Sequence, residues 1–261
     1  MTEKIQLIDT SKCTGCRGCQ VACKQWNQLP AGLTLNKGSY QNPPDLQKNT
    51  WTLVHFQELS DRDGNVEWLF RKDGCMHCTD AACVNICPAE ARFRLESGAI
   101  GTDNEKCVGC QQCVAACPFG KPRYEESSNK AYKCNLCAER TQNNLPPACV
   151  KACPSGALKY GEKSAMLDLA HKRSRELGKN ASVYGDKIFG GTHIVYVLEE
   201  KVDAYDALPA KPKVMASVFL WRAFRKPFGM LEAGAGLAVW AVSAFFQRKS
   251  HLDKQRQNNG G

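Results

Sequence analysis

Every cysteine of this 261-residue chain falls into one of four quartets, and none lies beyond Cys153. The first is Cys13, Cys16, Cys19 and Cys23, the second Cys75, Cys78, Cys83 and Cys87. The third is Cys107, Cys110, Cys113 and Cys117, the fourth Cys134, Cys137, Cys149 and Cys153. Proline follows Cys87, Cys117 and Cys153, whereas Lys24 follows Cys23. One gap of the second quartet stretches to four residues (79–82), and one of the fourth to eleven (138–148). A chain that spends its thiols this way must fold around what they bind.

The spacing suits an iron–sulfur cube. Two residues between cysteines make a tight loop whose thiolates reach three corners of one cluster, with backbone N–H groups aimed at its sulfurs; a fourth cysteine three residues on serves the neighbouring cluster. Proline there fixes φ and removes a donor, turning the chain away; motif one, with Lys24, must leave differently. Sixteen thiols at four per cluster imply four 4Fe–4S clusters, with iron bound through these cysteines, and such a protein moves electrons. A disulfide framework belongs to small secreted chains, and the opening MTEKIQLIDTSK has no apolar signal region. Structural zinc suits Cys-x2-Cys pairs but rarely comes as four consecutive quartets.

The formal charge of +9 counts cysteines as neutral. Four oxidised clusters with their thiolates subtract about 8, so a nucleic-acid partner is not expected. The excess sits in the tail, where residues 201–261 hold ten Lys/Arg against four Asp/Glu. No dinucleotide, phosphate-loop, nucleophile-elbow or zinc-protease motif is present, so no catalytic residue is assigned. His77 reads as loop structure or a hydrogen-bond donor, His193 as packed, and His55 as lacking a cysteine partner. Trp26 reads as a shield over a cluster or as ordinary core.

Strands are expected at Ile5–Ile8, Trp51–Phe56, Glu67–Arg71, Lys130–Lys133 and His193–Glu199, with a helix over Ser164–Glu176. Repeated motifs imply an α+β fold of two ferredoxin-like units, in which paired motifs exchange their fourth cysteines. Spacing leaves nested and sequential pairing both open. Residues 201–226 read as a linker and amphipathic segment. Phe228–Phe246 then runs nineteen residues with a single charge, Glu232. At about 1.5 Å per residue this reaches about 28 Å, enough for one membrane span. Pro227 suits a first helical position, and Gly229, Ala233, Gly234, Ala235, Gly236 and Ala238 would let another helix approach closely.

The segments CMHCTDAACVNICP, CVGCQQCVAACPFGKPRY and KCNLCAERTQNNLPPACVKACPSGAL resemble the iron–sulfur subunits of molybdenum or tungsten oxidoreductases. With CKQWNQLP (23–30), NTWTLVHF (49–56) and GGTHIVYVL (190–198), the resemblance is to the β subunit of membrane-bound formate dehydrogenase, over about residues 5–200. It implies nested pairing. One cluster takes Cys13, Cys16, Cys19 and Cys153, and another Cys134, Cys137, Cys149 and Cys23. A third takes Cys75, Cys78, Cys83 and Cys117, and the last Cys107, Cys110, Cys113 and Cys87. The outer unit is then 1–60 with 125–200, the inner unit 61–124, followed by a linker (201–226), a transmembrane helix (227–247) and a basic tail (248–261). Some relatives replace one ligand by tryptophan; all sixteen positions here are cysteine.

The resemblance implies an electron-transfer subunit of an oxidoreductase complex. A molybdopterin (Mo or W) catalytic subunit would supply electrons, and a membrane cytochrome b or quinone-reactive subunit would take them. Polysulfide, thiosulfate or nitrate reductases use equivalent subunits, and a soluble polyferredoxin-like carrier is the competing class. The expected location is the cell (inner) membrane, single-pass, with the cluster domain on the periplasmic face after folded export with a partner.

Overall fold

The computed structural model describes residues 3–35, 38–60 and 63–221. The chain divides into a compact unit, Met1–Val214, and a second, Met215–Gly261. In chain order the first unit holds β1 (Lys4–Asp9), α1 (Gly18–Trp26), β2 (Leu53–Ser60), β3 (Val66–Asp73), α2 (Ala82–Asn85), β4 (Arg92–Arg94), β5 (Ile100–Thr102) and α3 (Gln112–Ala115). There follow β6 (Arg123–Glu125), β7 (Lys130–Tyr132), α4 (Ala138–Gln142), α5 (Ala148–Lys151), β8 (Leu158–Glu162), α6 (Lys163–Leu177), β9 (Ser182–Tyr184) and β10 (Ile194–Leu198). The fold is mixed α and β, as expected.

A four-stranded sheet in the order β8-β1-β10-β9 forms the platform. β1 runs parallel to β10, with Gln6 opposite Ile194, and antiparallel to β8, with Gln6 opposite Tyr160. Alternation along a strand sends successive side chains to opposite faces, and both faces here are buried. Ile5, Leu7, Val195 and Val197 meet Met166, Leu167, Ala170 and Leu177 of α6 in an aliphatic layer. Ile8, Ile194, Tyr196 and Leu198 point the other way, into a core shared with Cys19, Cys149, Val54 and Leu69. The thiol-bearing loops therefore stand on one side of a sheet whose other side α6 closes.

Three two-stranded hairpins complete the unit: β2–β3, β4–β5 and β6–β7. β2 starts at Leu53 rather than the expected Trp51 and extends to Ser60, because β3 pairs along its whole length, from Leu53 opposite Asp73 to Ser60 opposite Val66. Trp51 stays in the preceding loop, its indole N–H donating to the Lys48 carbonyl at 2.7 Å. β8 went unread in the sequence: Gly161 interrupts its pattern, and pairing to β1 makes it a strand.

In the second unit the described element is a short helix, α7 (Ala216–Leu220). The expected span at 227–247 and the tail at 248–261 lie outside the described residues. Among the described residues no helix is long and apolar enough to cross a membrane.

Four cysteine sites

Each motif repeats one backbone device. The residue before the second cysteine is left-handed in all four: Gly15 (φ 66), His77 (φ 48), Gly109 (φ 71) and Leu136 (φ 54). Such a turn gathers N–H groups into an anion-binding concavity. The Leu136 N–H donates to Cys134 Sγ at 3.3 Å, and the Lys121 N–H to Cys117 Sγ at 3.4 Å. At Gly109 a Cβ would also overlap Asn129 of the β6–β7 turn, so glycine is required twice over.

The exits divide as the prolines predict. α2, α3 and α5 are each four residues long and stop just before Cys87-Pro88, Cys117-Pro118 and Cys153-Pro154. A residue preceding proline avoids helical geometry, and proline has no N–H to continue the ladder. The N–H groups of Glu90, Gly120 and Gly156 then close a turn onto the carbonyls of Cys87, Cys117 and Cys153, at 3.5, 3.0 and 3.4 Å. Motif one lacks the proline, and its nine-residue α1 runs through Cys23 to Trp26. Lys24 leaves that helix to donate from Nζ to the Asn49 carbonyl at 2.8 Å.

The structure brings the cysteines together across motifs. Cys13, Cys16, Cys19 and Cys153 line one enclosed cavity with Ile8, Val54 and Lys72. Burial raises the Cys23 thiol to about 11, with Cys149 and Cys137 among the adjacent charges. Burial pushes the Cys134 thiol well up, helped by Cys23, Cys137 and Cys75. Cys78 is driven up by burial and by Cys75, Cys117 and Cys83. Cys83 rises to about 12, chiefly by burial, with Lys133 opposing. Packing of α2 on α3 brings Cys113 of α3 alongside the helix that leads into Cys87, while Cys107 and Cys110 precede α3 in the same loop. Cys16 and Cys110 are the two exposed members of the sixteen. Among the described residues, no three His, Cys, Asp or Glu side chains gather as a single ion would need.

Thiols raised this far are poor ligands unless something offsets the charge of their thiolates. Clusters do that by bonding the sulfur, and the protein contributes buried cations that sequence reasoning missed. Lys72, Arg92 and Lys133 are 4%, 3% and 4% exposed. Arg92 Nη2 lies 3.6 Å from Cys113 Sγ and donates to the Ala131 carbonyl at 3.0 Å. Lys133 Nζ donates to the carbonyls of Ile100 and Cys134. Gln6, in the middle of β1, turns its amide to Cys149 Sγ at 3.7 Å. The available signal was a basic residue shortly before Cys-x2-Cys, at Lys72 and Lys133; Lys12 and Lys106 carry the same signal yet are exposed.

The histidines are structural. His77 is fully buried, and its Nδ1 accepts the Ile100 N–H at 2.9 Å, so at that atom it is an acceptor rather than the donor expected. His193, also fully buried, belongs to the segment 190–193 that braces motif two: the Thr79 N–H donates to the Gly191 carbonyl and the His193 N–H to the His77 carbonyl, at 2.9 and 3.0 Å. His55 Nε2 lies 3.1 Å from Asp73 Oδ2. Burial would raise the Asp73 carboxyl, but Lys121, Arg71 and His55 outweigh it and hold it far below the usual range. Trp26 is 42% exposed, with the Arg140 guanidinium 4.5 Å from its ring centre, so it is not core.

Fold and thiols together define an iron–sulfur protein with four 4Fe–4S clusters. Residues 12–91 and 66–163 each match a 4Fe-4S dicluster domain. Over 245 residues the chain is 42% identical to the formate dehydrogenase, nitrate-inducible, iron-sulfur subunit of Escherichia coli (strain K12), covering 90% of this chain and 83% of that one. It is 41% identical over 251 residues to the formate dehydrogenase iron-sulfur subunit of Haemophilus influenzae, covering 93% and 80%. Over 178 residues it is 39% identical to formate dehydrogenase 2 subunit beta (cytochrome c-553) of Nitratidesulfovibrio vulgaris, covering 65% and 81%. The chain belongs to the iron–sulfur subunits of formate dehydrogenases.

Proposed function

We propose that this chain relays electrons from a formate-oxidising catalytic subunit, carrying a molybdopterin cofactor with Mo or W, to a cytochrome b or quinone-reactive partner in the membrane. When bound, each 4Fe–4S cluster takes up and gives back one electron. The observation that carries the reading is sixteen cysteines gathered in one compact unit, with Cys16 and Cys110 the two that are exposed.

The cysteines divide in the nested manner. Cys13, Cys16, Cys19 and Cys153 hold one cluster; Cys134, Cys137, Cys149 and Cys23 hold the next. Cys75, Cys78, Cys83 and Cys117 hold the third; Cys107, Cys110, Cys113 and Cys87 hold the fourth. Three features favour this over sequential pairing. β1, ahead of motif one, pairs with β8, behind motif four. α1 packs on α5, and α2 on α3. The shared cavity joins Cys153 to motif one. The outer unit then carries motifs one and four and the inner unit motifs two and three, and the β2–β3 hairpin, paired from Leu53–Asp73 to Ser60–Val66, crosses the expected boundary between 1–60 and 61–124. The order read here is supported by neighbouring charges: Cys149 acts on Cys19, and Cys75 on Cys134. Cys16 and Cys110 then mark the ends, where partners can approach, and the middle sites stay dry.

Residues 227–247 serve as the membrane span and carry the clusters on the periplasmic side, with 248–261 in the cytoplasm, where basic residues favour retention. Protease added to intact spheroplasts should digest residues 1–200; protection until the membrane is opened reverses the orientation. For the pairing, Cys23→Ser should perturb the cluster of Cys134, Cys137 and Cys149 in EPR spectra of the complex. Perturbation of the Cys13, Cys16 and Cys19 cluster would refute it.

A further inference from the structure

Lys72 sits near the end of β3, 4% exposed, and lines the cavity with Cys13, Cys16, Cys19 and Cys153. The Tyr196 hydroxyl donates to its carbonyl at 3.0 Å, fixing the backbone. The Cys149, Cys134 and Cys19 thiols act on its ammonium, together with the Tyr196 hydroxyl, and Cys19 and Cys149 share one buried core. It therefore stands between two of the proposed clusters.

Other buried cations have oxygen acceptors. Lys121 and Arg71 pair with Asp73 at 2.7 and 3.3 Å. Lys133 bonds backbone carbonyls, and Arg92 bonds Thr102 and the Ala131 carbonyl. Among the described residues no carboxylate or carbonyl takes the Lys72 ammonium. A buried charge is costly unless paired, and the groups around it that can carry negative charge are the thiols of the cavity and of the buried core beside it.

We infer that Lys72 is a positioning residue for electron transfer: its ammonium donates to sulfur in the outer unit and holds the two clusters there at raised reduction potential. The inference rests on the nested pairing. A fixed positive charge stabilises an added electron, and charge and hydrogen bonds to sulfur are the protein's levers on cluster potential. The inner clusters have Arg92 and Lys133 instead, so the effect is selective.

The test is redox-titrated EPR on the anaerobically isolated complex containing the full chain, with signals assigned through Cys16→Ser and Cys137→Ser. In Lys72→Met the outer pair should shift at least tenfold toward the oxidised state, 59 mV for one electron. The inner pair should shift less than about threefold, and Lys72→Arg should restore the outer pair to within about threefold, a conservative change that keeps the charge. Outer potentials unchanged in Lys72→Met, or all four shifting together, overturn the inference. If Lys72→Met does not assemble, Lys72→Gln carries the same expected shift, and wild-type potentials in it count against the inference. Loss of the outer pair from both variants, with iron falling from about sixteen to about eight, marks a role in assembly alone and overturns it, as does loss of all four. The pairing fails separately, if Cys16→Ser and Cys153→Ser alter different signals.

Discussion

Motifs one and three form the ends of the proposed row, motifs two and four its middle, and the same loop is built differently in the two places. At the left-handed position the end motifs use Gly15 and Gly109, while the middle motifs use His77 and Leu136. The second cysteine is exposed at the ends and not in the middle. The lysine ahead of the motif is exposed at Lys12 and Lys106 and buried at Lys72 and Lys133. Energetics explain the difference. A left-handed non-glycine residue costs about 1–2 kcal/mol, while burying a leucine side chain returns about 1.5–3 kcal/mol. Leu136 is 1% exposed, so burial outweighs strain there. At Gly15 a Cβ would press on Phe56 and Phe70, and at Gly109 it would overlap Asn129, so close packing selects glycine at the ends.

The largest effect expected from breaking this division is at Asp73, two residues before Cys75. Asp73→Asn leaves buried Arg71 and Lys121 facing a neutral group and should cost about 3–5 kcal/mol, read as a denaturation midpoint under anaerobic conditions. Because the folded carboxyl is held below its unfolded value of about 3.9, its stabilisation is complete above that pH and is lost as pH falls below it. The gap between wild type and variant should therefore narrow in acid.

Next comes the lysine pair. Lys133→Met strands the Ile100 and Cys134 carbonyls and should cost about 1–3 kcal/mol for each. Lys106→Met, on the surface, should stay within about 0.5 kcal/mol of wild type. Equal effects would erase the distinction between middle and ends.

A smaller and sharper test is an inversion at Leu136. Leu136→Ala loses packing and keeps the strained φ, whereas Leu136→Gly loses packing and releases it. The glycine variant should be the more stable of the two by about 1 kcal/mol. An alanine variant at least as stable would show that the left-handed turn carries little strain.

Much of this was legible in the sequence, because cysteine spacing and alternation are local. β1, β3, β7, β10 and α6 fall within a few residues of their expected places, since Ile5, Leu7, Val195 and Val197 alternate and α6 keeps a helical period. The buried cations were not legible. Phe70-Arg71-Lys72-Asp73 reads as a solvated strand end, and only thiols arriving from motifs one and four turn Lys72 into an interior residue. Gln6 is similar, a polar residue mid-strand whose reason is Cys149, 143 positions away. Trp26 is not core for the opposite reason: α1 continues past Cys23 and carries it to the surface, beside Arg140.

The central claim is that all sixteen thiols hold clusters, and chemical analysis of the anaerobically purified chain in its complex tests it directly. The account predicts about sixteen irons and as many acid-labile sulfides per chain, four per cluster. Iron near eight, or zinc in stoichiometric amount, would contradict it.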